Sequence, residues 1–515
     1  MATKHAVRTV ASKYTWRPII LTSGIVLLLG LALAYMVFRF QVNPDGLSYI
    51  NTAERYAAFD FGNALNGYWG VLISWLLVPF VWLKADPVIS FYFISLICSA
   101  LTVLLLHKFA LNKLSFIKPL PLYLVELTLL LILSSLSLSV LTPDILLTLA
   151  FTFLLFSFSN FDDKPTRRNG IILGLAGALL FFAKPAGLLL FLFALIAYAI
   201  YIFLQKKTKI RALLTTLLVF FILVVPYCTA LSIKYNQPIF STSNSYNLSL
   251  ISPTYQRQHT ITQPGIYLPP NQYANSVWDD PSNLPIKHWN PLASPSDFKY
   301  YTNEVLFNFH SLATFIQNLG IIILLGLSVV ISTVVSRKQF KIESFIGTVL
   351  AVGLLGLYSL SVVDPRHMWP IIPLAFIGIL IALDYTSKQT TISTKNLPMF
   401  IAFGILMLSI PLITPVSAGK VVPPYVTSAQ ALARNVEPGA RLVSDDAGAM
   451  FVCFRSDTQC NGILPTDASA NTIAYLQKNN IQYLLLLNGT SAYNSVIEDY
   501  YELVDPTINL YKLKV

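Results

Sequence analysis

The stretch Asn43 to Asn66 reads NPDGLSYINTAERYAAFDFGNALN. It follows the first long apolar run and is the first polar ground beyond it. It gathers Asp45, Glu54, Arg55 and Asp60 in a chain of which only 11% of residues are charged. Leu47, Ile50, Ala53 and Ala57 recur near helical spacing, so Asp45 to Phe59 reads as a short helix with one apolar stripe. Such a helix lies flat on a membrane, just outside a first span. Asp45 can cap it, because a carboxylate there accepts from the free N–H groups of the first turn. Two roles stay open for Asp45: a helix cap, or an acid doing chemistry at the membrane surface.

The rest of the composition supports the membrane reading. Of the 515 residues, 55% are hydrophobic, and the mean hydropathy is +0.62. Soluble chains carry roughly 25% charge. The apolar runs are long and none alternates with a two-residue period, so the expected fold is an all-α polytopic membrane protein rather than a barrel. Pro18 to Phe40 is too long for a signal-peptide core and stays as a span. The net charge of +11 records cytoplasmic loops rather than nucleic-acid binding. Cys98 and Cys228 fall inside apolar runs. Cys453 and Cys460 fall in a polar region at hairpin-like spacing, and a disulfide between them is expected if that region is exported.

Charge placement sets the topology. Lys4, Arg8, Lys13 and Arg17 keep the N-terminus cytoplasmic. If Tyr68–Leu83 crossed the membrane, Lys108, Lys113 and Lys118 would lie outside. If it rests in the outer interface, every later basic loop falls inside, including Lys206, Lys207, Lys209 and Arg211, then Arg337, Lys338 and Lys341, then Lys388 and Lys395. Trp69, Trp75 and Trp82, with Gly70 and Pro79, favour the interface. The count is then about eleven spans, the eighth being Phe315–Val335. This gives a transmembrane domain over residues 1–416, with outer loops at 43–66 and 234–315. The second loop is rich in Pro, Asn, Ser and Tyr and holds Trp278 and Trp289. Segments this long are functional or disordered; its aromatics suit stacking on sugar faces or an ordered lid.

Residues 417–515 differ in pattern and read as a small extracytoplasmic α/β domain. Strands are expected at Arg441–Ser444, Met450–Phe454, Tyr483–Leu487, Tyr501–Val504 and Ile508–Leu513. A helix is expected at Ala468–Gln477, with Asp467 as its cap. The chain has no phosphate-binding glycine loop, CxxC pair or HExxH motif.

This topology puts Asp45, Asp144, Lys184, Asp364, Arg366 and His367 at the outer ends of apolar runs. Each also has a purely structural reading. Thr142-Pro143-Asp144 is a good helix start, with Thr as cap and Pro in the first position. Asp364-Pro365 reads the same way, and Lys184 can simply break two helices.

Asn43-Pro44-Asp45-Gly46, Gly67-Tyr68-Trp69-Gly70, Thr142-Pro143-Asp144, Ala183-Lys184-Pro185 and Arg366-His367 before Pro370, in this order and on one side, resemble the GT-C glycosyltransferases. Within that superfamily the pattern is similar to the branch of dolichyl-phosphate-mannose–protein mannosyltransferases and lipid A aminoarabinose transferases. The resemblance implies a GT-C-like fold and an inverting sugar transfer from a polyprenyl-phosphate donor, delivered by membrane lipid, to an extracytoplasmic acceptor. It implies Asp45 as general base and Asp144 as an orienter of the acceptor, a partner for a cation or a metal ligand. Lys184, Arg366 and His367 are implied for the donor phosphate, and Arg55, Tyr49 and Tyr68 for further substrate contacts. Protein mannosyltransferases pair two adjacent acids in the first loop; here Gly46 follows Asp45, which puts a protein acceptor in question. No cofactor is certain from the sequence. A divalent metal ion is compatible with the acids, but His259, His288 and His310 have no ligand spacing. Two other classes fit the composition. A transporter or flippase of lipid-linked glycans would place ionisable groups near the midplane. A membrane scaffold would tolerate loss of every outer-face acid.

Overall fold

A computed structural model describes residues 15–40, 43–205, 210–318, 341–389, 396–413, 423–465, 470–489, 493, 497 and 499–514. The protein is a multi-pass membrane protein. Among the described residues, eight helices are long and apolar enough to cross a membrane. They are Trp16–Phe38, Pro87–Lys113, Pro119–Ser139, Asp144–Asp163, Ala186–Leu204, Ile210–Lys234, Ile342–Ser359 and Pro365–Tyr385. Arg167–Ala183 and Leu397–Ile413 add two helices of 17 residues each. Most of Phe315–Val335 lies outside the described residues, as do Lys4, Arg8, Lys13, Lys206, Lys207, Lys209, Arg337, Lys338, Lys395 and Asp467.

The chain forms two compact units. The first takes in Met1–Met36, Ile89–Ile239 and Thr302–Val416. It is the helical unit, and its tightest seam is built from small residues. On the Arg167–Ala183 helix, a methyl at Gly174 would come within 2.6 Å of the Thr216 carbonyl, and one at Gly170 within 2.6 Å of the Ala212 carbonyl. Two backbones approach here as only glycine allows, which is how membrane helices gain packing when apolar burial gives no net drive. Polar ties supplement the packing. Asp384 Oδ1 accepts from the N–H groups of Ser115, Phe116 and Ile117 at 2.9, 2.6 and 2.9 Å. His107 Nδ1 lies 2.9 Å from Glu126 Oε1, with both side chains fully buried.

The second unit comprises Val37–Val88, Phe240–Tyr301 and Ser417–Val515. Its first helix is Pro44–Ala57, close to the sequence expectation, with Leu47, Ile50 and Ala53 buried. Against it packs Leu72–Trp82, where Ser74 Oγ donates to the Tyr49 carbonyl and Trp82 Nε1 to the Ala57 carbonyl, both at 2.9 Å. Eleven residues rise only about 16 Å, roughly half of a bilayer core of about 30 Å. The length of Leu72–Trp82 therefore suits a helix that does not cross.

Among the described residues the same unit holds a six-stranded sheet, ordered β1-β3-β2-β4-β6-β5. The strands are β1 Gly265–Ile266, β2 Arg441–Ser444, β3 Gln459–Ile463, β4 Tyr483–Leu485, β5 Tyr501–Asp505 and β6 Leu510–Leu513. β2 pairs in parallel with β3 and β4, and the other pairings are antiparallel. The long polar segment thus supplies the edge strand β1. The expected strand Met450–Phe454 is instead part of a helix, Ala449–Ser456. A short unbroken apolar run does not distinguish strand from buried helix, and a parallel β2–β3 pair needs a crossover between its strands. β3 escaped notice because it is polar. Its buried Gln459 Nε2 donates to the Asn271 and Ala274 carbonyls, and Asn461 Nδ2 to that of Leu442. Cys453 and Cys460 form a disulfide with a Cα separation of 5.9 Å, joining that helix to β3 rather than two strands of a hairpin.

Gly174→Val tests the glycine seam. The added methyl groups have no room against the Thr216 carbonyl, so a loss of about 1–3 kcal/mol is expected, read as a lower thermal midpoint in detergent. A midpoint equal to that of the parent would mean the two helices are not in contact there.

Candidate functional site

Two clusters gather the residues singled out in the sequence, one in each unit. In the helical unit the centre is Asp144, the first residue of the Asp144–Asp163 helix. Pro143 occupies the cap position, and Thr142 does not cap the helix. Asp144 is completely buried. Lys184, in extended conformation at the end of the Arg167–Ala183 helix, places its Nζ 2.7 Å from Asp144 Oδ1. Arg366 Nε lies 4.0 Å from Asp144 Oδ2 and 3.2 Å from Asp364 Oδ2. Both cations are only partly buried, with side-chain exposures of 16% and 21%.

Asp364 fulfils its structural reading as a cap, accepting from the Arg366 N–H at 3.0 Å. His367 completes that turn: its Nδ1 accepts from the Asp364 N–H at 3.3 Å. The neutral imidazole then carries its proton on Nε2. Its ring stacks on Tyr358, with centroids 4.0 Å apart and planes 14° from parallel. Asp144 Oδ2, Thr142 Oγ1 and the Tyr358 hydroxyl are buried without a hydrogen-bond partner among the described residues. Buried polar atoms ordinarily have partners, so each of the three could still take a hydrogen bond from a polar ligand or water. Tyr358 was missed in the sequence because it sits inside an apolar run with nothing local to distinguish it.

In the second unit the centre is Asp45. It is the second residue of its helix; Asn43 occupies the cap position and makes no side-chain cap bond. The expectation that Asp45 caps the helix is therefore corrected: Asn43 holds the cap position and Pro44 the first, so the acid stands two positions inside. Asp45 Oδ1 instead accepts from Trp278 Nε1 at 3.0 Å. Beside it, Asp279 Oδ2 accepts from Asn51 Nδ2 at 2.9 Å and from the Asn275 N–H at 2.8 Å. Asn66 Nδ2 donates to the Asp279 carbonyl at 2.6 Å.

Tyr68 packs against Trp69, Tyr246 and Trp278, and its hydroxyl donates to Asn247 Oδ1 at 3.2 Å. Tyr49 is buried with its ring edge-on to Trp69. The Arg55 guanidinium lies 4.4 Å over the ring of Tyr273. Trp278 is buried, so of the two readings of the loop aromatics it follows the ordered one. Among the described residues no three His, Cys, Asp or Glu side chains gather to hold a metal ion. His259 packs on Trp278, and His288 Nδ1 lies 2.8 Å from Ser245 Oγ.

The fold is shared with solved structures of two other proteins. Among solved structures the chain is similar to ArnT from Cupriavidus metallidurans. The apo form is 13% identical with a TM-score of 0.57, covering 96% of each chain. The form bound to undecaprenyl phosphate is 12% identical with a TM-score of 0.58, covering 97% of this chain and 98% of that one. The archaeal oligosaccharyltransferase AglB from Archaeoglobus fulgidus, in complex with an inhibitory peptide and a dolichol-phosphate, is 10% identical with a TM-score of 0.52. It is matched over 97% of this chain and 75% of its own. No protein-family model and no curated protein matches the sequence. At these identities what is shared is the fold.

Two stability measurements probe the clusters. Lys184→Met leaves the buried Asp144 without its nearest cation and is expected to cost about 3–5 kcal/mol. Adding Asp144→Asn should restore most of that, because the uncompensated charge is gone. Equal midpoints for the single and double variants would show that the pair is not coupled. In the second unit, burial pushes Asp279 from its ordinary 3.8 up to about 6, against the pull of its hydrogen bonds from Asn51 and Asn275. A raised acid holds its proton more tightly in the folded state. Its contribution to stability is therefore full below about pH 4 and is lost as pH rises through about 6. Unfolding followed from pH 4 to pH 7 should show this decline, and Asp279→Asn should flatten it.

Proposed function

We propose that the protein is an integral membrane glycosyltransferase. It takes a sugar from a polyprenyl phosphate and passes it, with inversion, to a hydroxyl acceptor on the outer side of a cell membrane. The observation that carries this reading is the meeting of Lys184 and Arg366 on one fully buried carboxylate, Asp144. Two cations held in fixed positions, each with part of its surface exposed, suit a phosphate that gains charge as its bond to the sugar breaks. ArnT bound to undecaprenyl phosphate and AglB in complex with a dolichol-phosphate, both of this fold, support a polyprenyl-phosphate donor.

The residues take these roles. Asp45 accepts the proton of the acceptor hydroxyl. The acceptor oxygen bonds to the anomeric carbon from the face opposite the phosphate. The carbon–oxygen bond to phosphate breaks, and the polyprenyl phosphate leaves with the electron pair. Lys184 and Arg366 hold that phosphate, and Asp144 holds the two cations. His367 has its Nδ1 occupied in the Asp364 turn, so only Nε2 is left to reach the phosphate. Tyr68 and Arg55 contact substrate, and the buried Tyr49 packs against Trp69, the neighbour of Tyr68. The acceptor is a lipid, a glycan or a protein, and the C-terminal domain lies on the extracytoplasmic side with the N-terminus in the cytoplasm.

Asp45→Asn separates this reading from a structural one. An amide makes similar packing contacts but cannot take a proton, so transfer should fall by roughly a hundredfold to ten-thousandfold with the thermal midpoint unchanged. The assay is transfer from a panel of undecaprenyl-phosphate pentoses, hexoses and amino sugars by the purified full-length protein. Activity within a few-fold of the parent would remove Asp45 from the chemistry and move the base to Asp144.

A further inference from the structure

Asp45 takes its hydrogen bond from a residue 233 positions further along the chain. That partner, Trp278, belongs to a short turn, Val277–Asp279, within the long polar segment. The turn is gripped at several points by the helix that carries Asp45 and by the segment that follows it. Ser48 Oγ donates to the Trp278 carbonyl at 3.0 Å, and Trp69 Nε1 donates to the same carbonyl at 3.2 Å. The Trp278 N–H donates to Ser276 Oγ at 3.2 Å. One turn along the same helix, Asn51 holds the Asp279 carboxylate.

The indole itself is 3% exposed. It is closed in by Tyr68, Trp69 and Tyr246, with ring centroids 5.7, 5.6 and 5.6 Å away. Its backbone is pinned and its ring is walled, so the direction of its N–H is set before any substrate arrives. A tryptophan needed only for packing could satisfy its N–H on a backbone carbonyl, as Trp69 and Trp82 do here. Trp278 spends it on the carboxylate instead.

We infer that Trp278 is a positioning residue for Asp45, its indole N–H fixing the plane in which that carboxylate meets the acceptor hydroxyl. The inference rests on the reading of Asp45 as the base. Without that N–H the carboxylate is free to turn away from the acceptor hydroxyl, so turnover falls while donor binding is kept.

Full-length protein, the undecaprenyl-phosphate sugar panel and four variants test this. Trp278→Phe keeps an aromatic ring and loses the donor. Trp278→benzothienylalanine keeps the whole shape and replaces the N–H by sulfur, which covers the case in which Phe leaves a cavity and the protein fails to fold. His259→Leu removes another ring packed on Trp278 and leaves in place the bonds that pin the Trp278 backbone. Asp45→Asn reports on the base itself.

The expected result is a fall in kcat of about tenfold, with KM for the donor within twofold, for both Trp278 variants. His259→Leu should leave kcat within about twofold of the parent. If both Trp278 variants keep the kcat of the parent while Asp45→Asn is inactive, the base stands and the positioning role of Trp278 is overturned. If His259→Leu lowers kcat as far as Trp278→Phe does, the effect is one of packing and the inference fails. If Asp45→Asn remains active, the base reading falls, and this inference falls with it.

Discussion

A carboxylate with no exposed surface is costly to keep inside a protein unless a cation lies against it. Asp144 is such a group, and much of the helical unit is arranged around meeting that demand. Lys184 can reach it only because one helix ends at Ala183 and the chain turns extended before the next begins. Arg366 can reach it only because the Asp364 cap starts a short turn ahead of the following span. Three helix ends are therefore brought to one acid. The glycine seam at Gly170 and Gly174 serves the same arrangement by letting the helix that ends at Lys184 sit close against Ile210–Lys234. Charge is concentrated at one spot, in positions set by the ends of otherwise apolar rods.

In the second unit the organising constraint is the long polar segment. Its Phe240–Tyr301 part, long and with few apolar runs, would ordinarily be loose. Here it is tied by specific polar bonds. Ser48, Asn51, Asn66 and Trp69 all bind the Trp278-Asp279 turn. Gly265 and Ile266 close the edge of the sheet against β3, and the Cys460 N–H donates to the Asn275 carbonyl at 2.7 Å. Asp279 is buried at a cost visible in its raised affinity for a proton. A buried acid of this kind adds little net stability, and its hydrogen bonds set the register of the segment on the helix that carries Asp45.

How far the sequence could be read depended on the range over which each feature is encoded. Apolar runs of 18 residues or more announce membrane helices by themselves, because the hydrocarbon thickness sets their length. The helix after Asn43 was legible from its period, and the Cys453–Cys460 pair from its spacing. Asp364 as a cap followed from the proline next to it. Met450–Phe454 was misread because its apolar run fits either a strand or a buried helix, and only the parallel pairing of β2 with β3 decides between them. β3 was missed because Gln459 and Asn461 look like surface residues until their carbonyl partners are known.

The sequence by itself determined that this is a helical membrane protein with a mixed terminal domain, and that acids and bases stand at the ends of its apolar runs. These follow from local composition and period. Only the tertiary structure decided which of those residues meet. It brought Lys184 and Arg366 to Asp144, took His367 into a turn with Asp364 and a stack with Tyr358, and turned Asp45 from a cap into the partner of Trp278. The pairings of Lys184 and Arg366 with Asp144, and of Asp45 with Trp278, join residues 40 to more than 200 positions apart. No local propensity encodes them, because the energy that selects them comes from burying polar groups only where a partner from elsewhere in the chain can satisfy them.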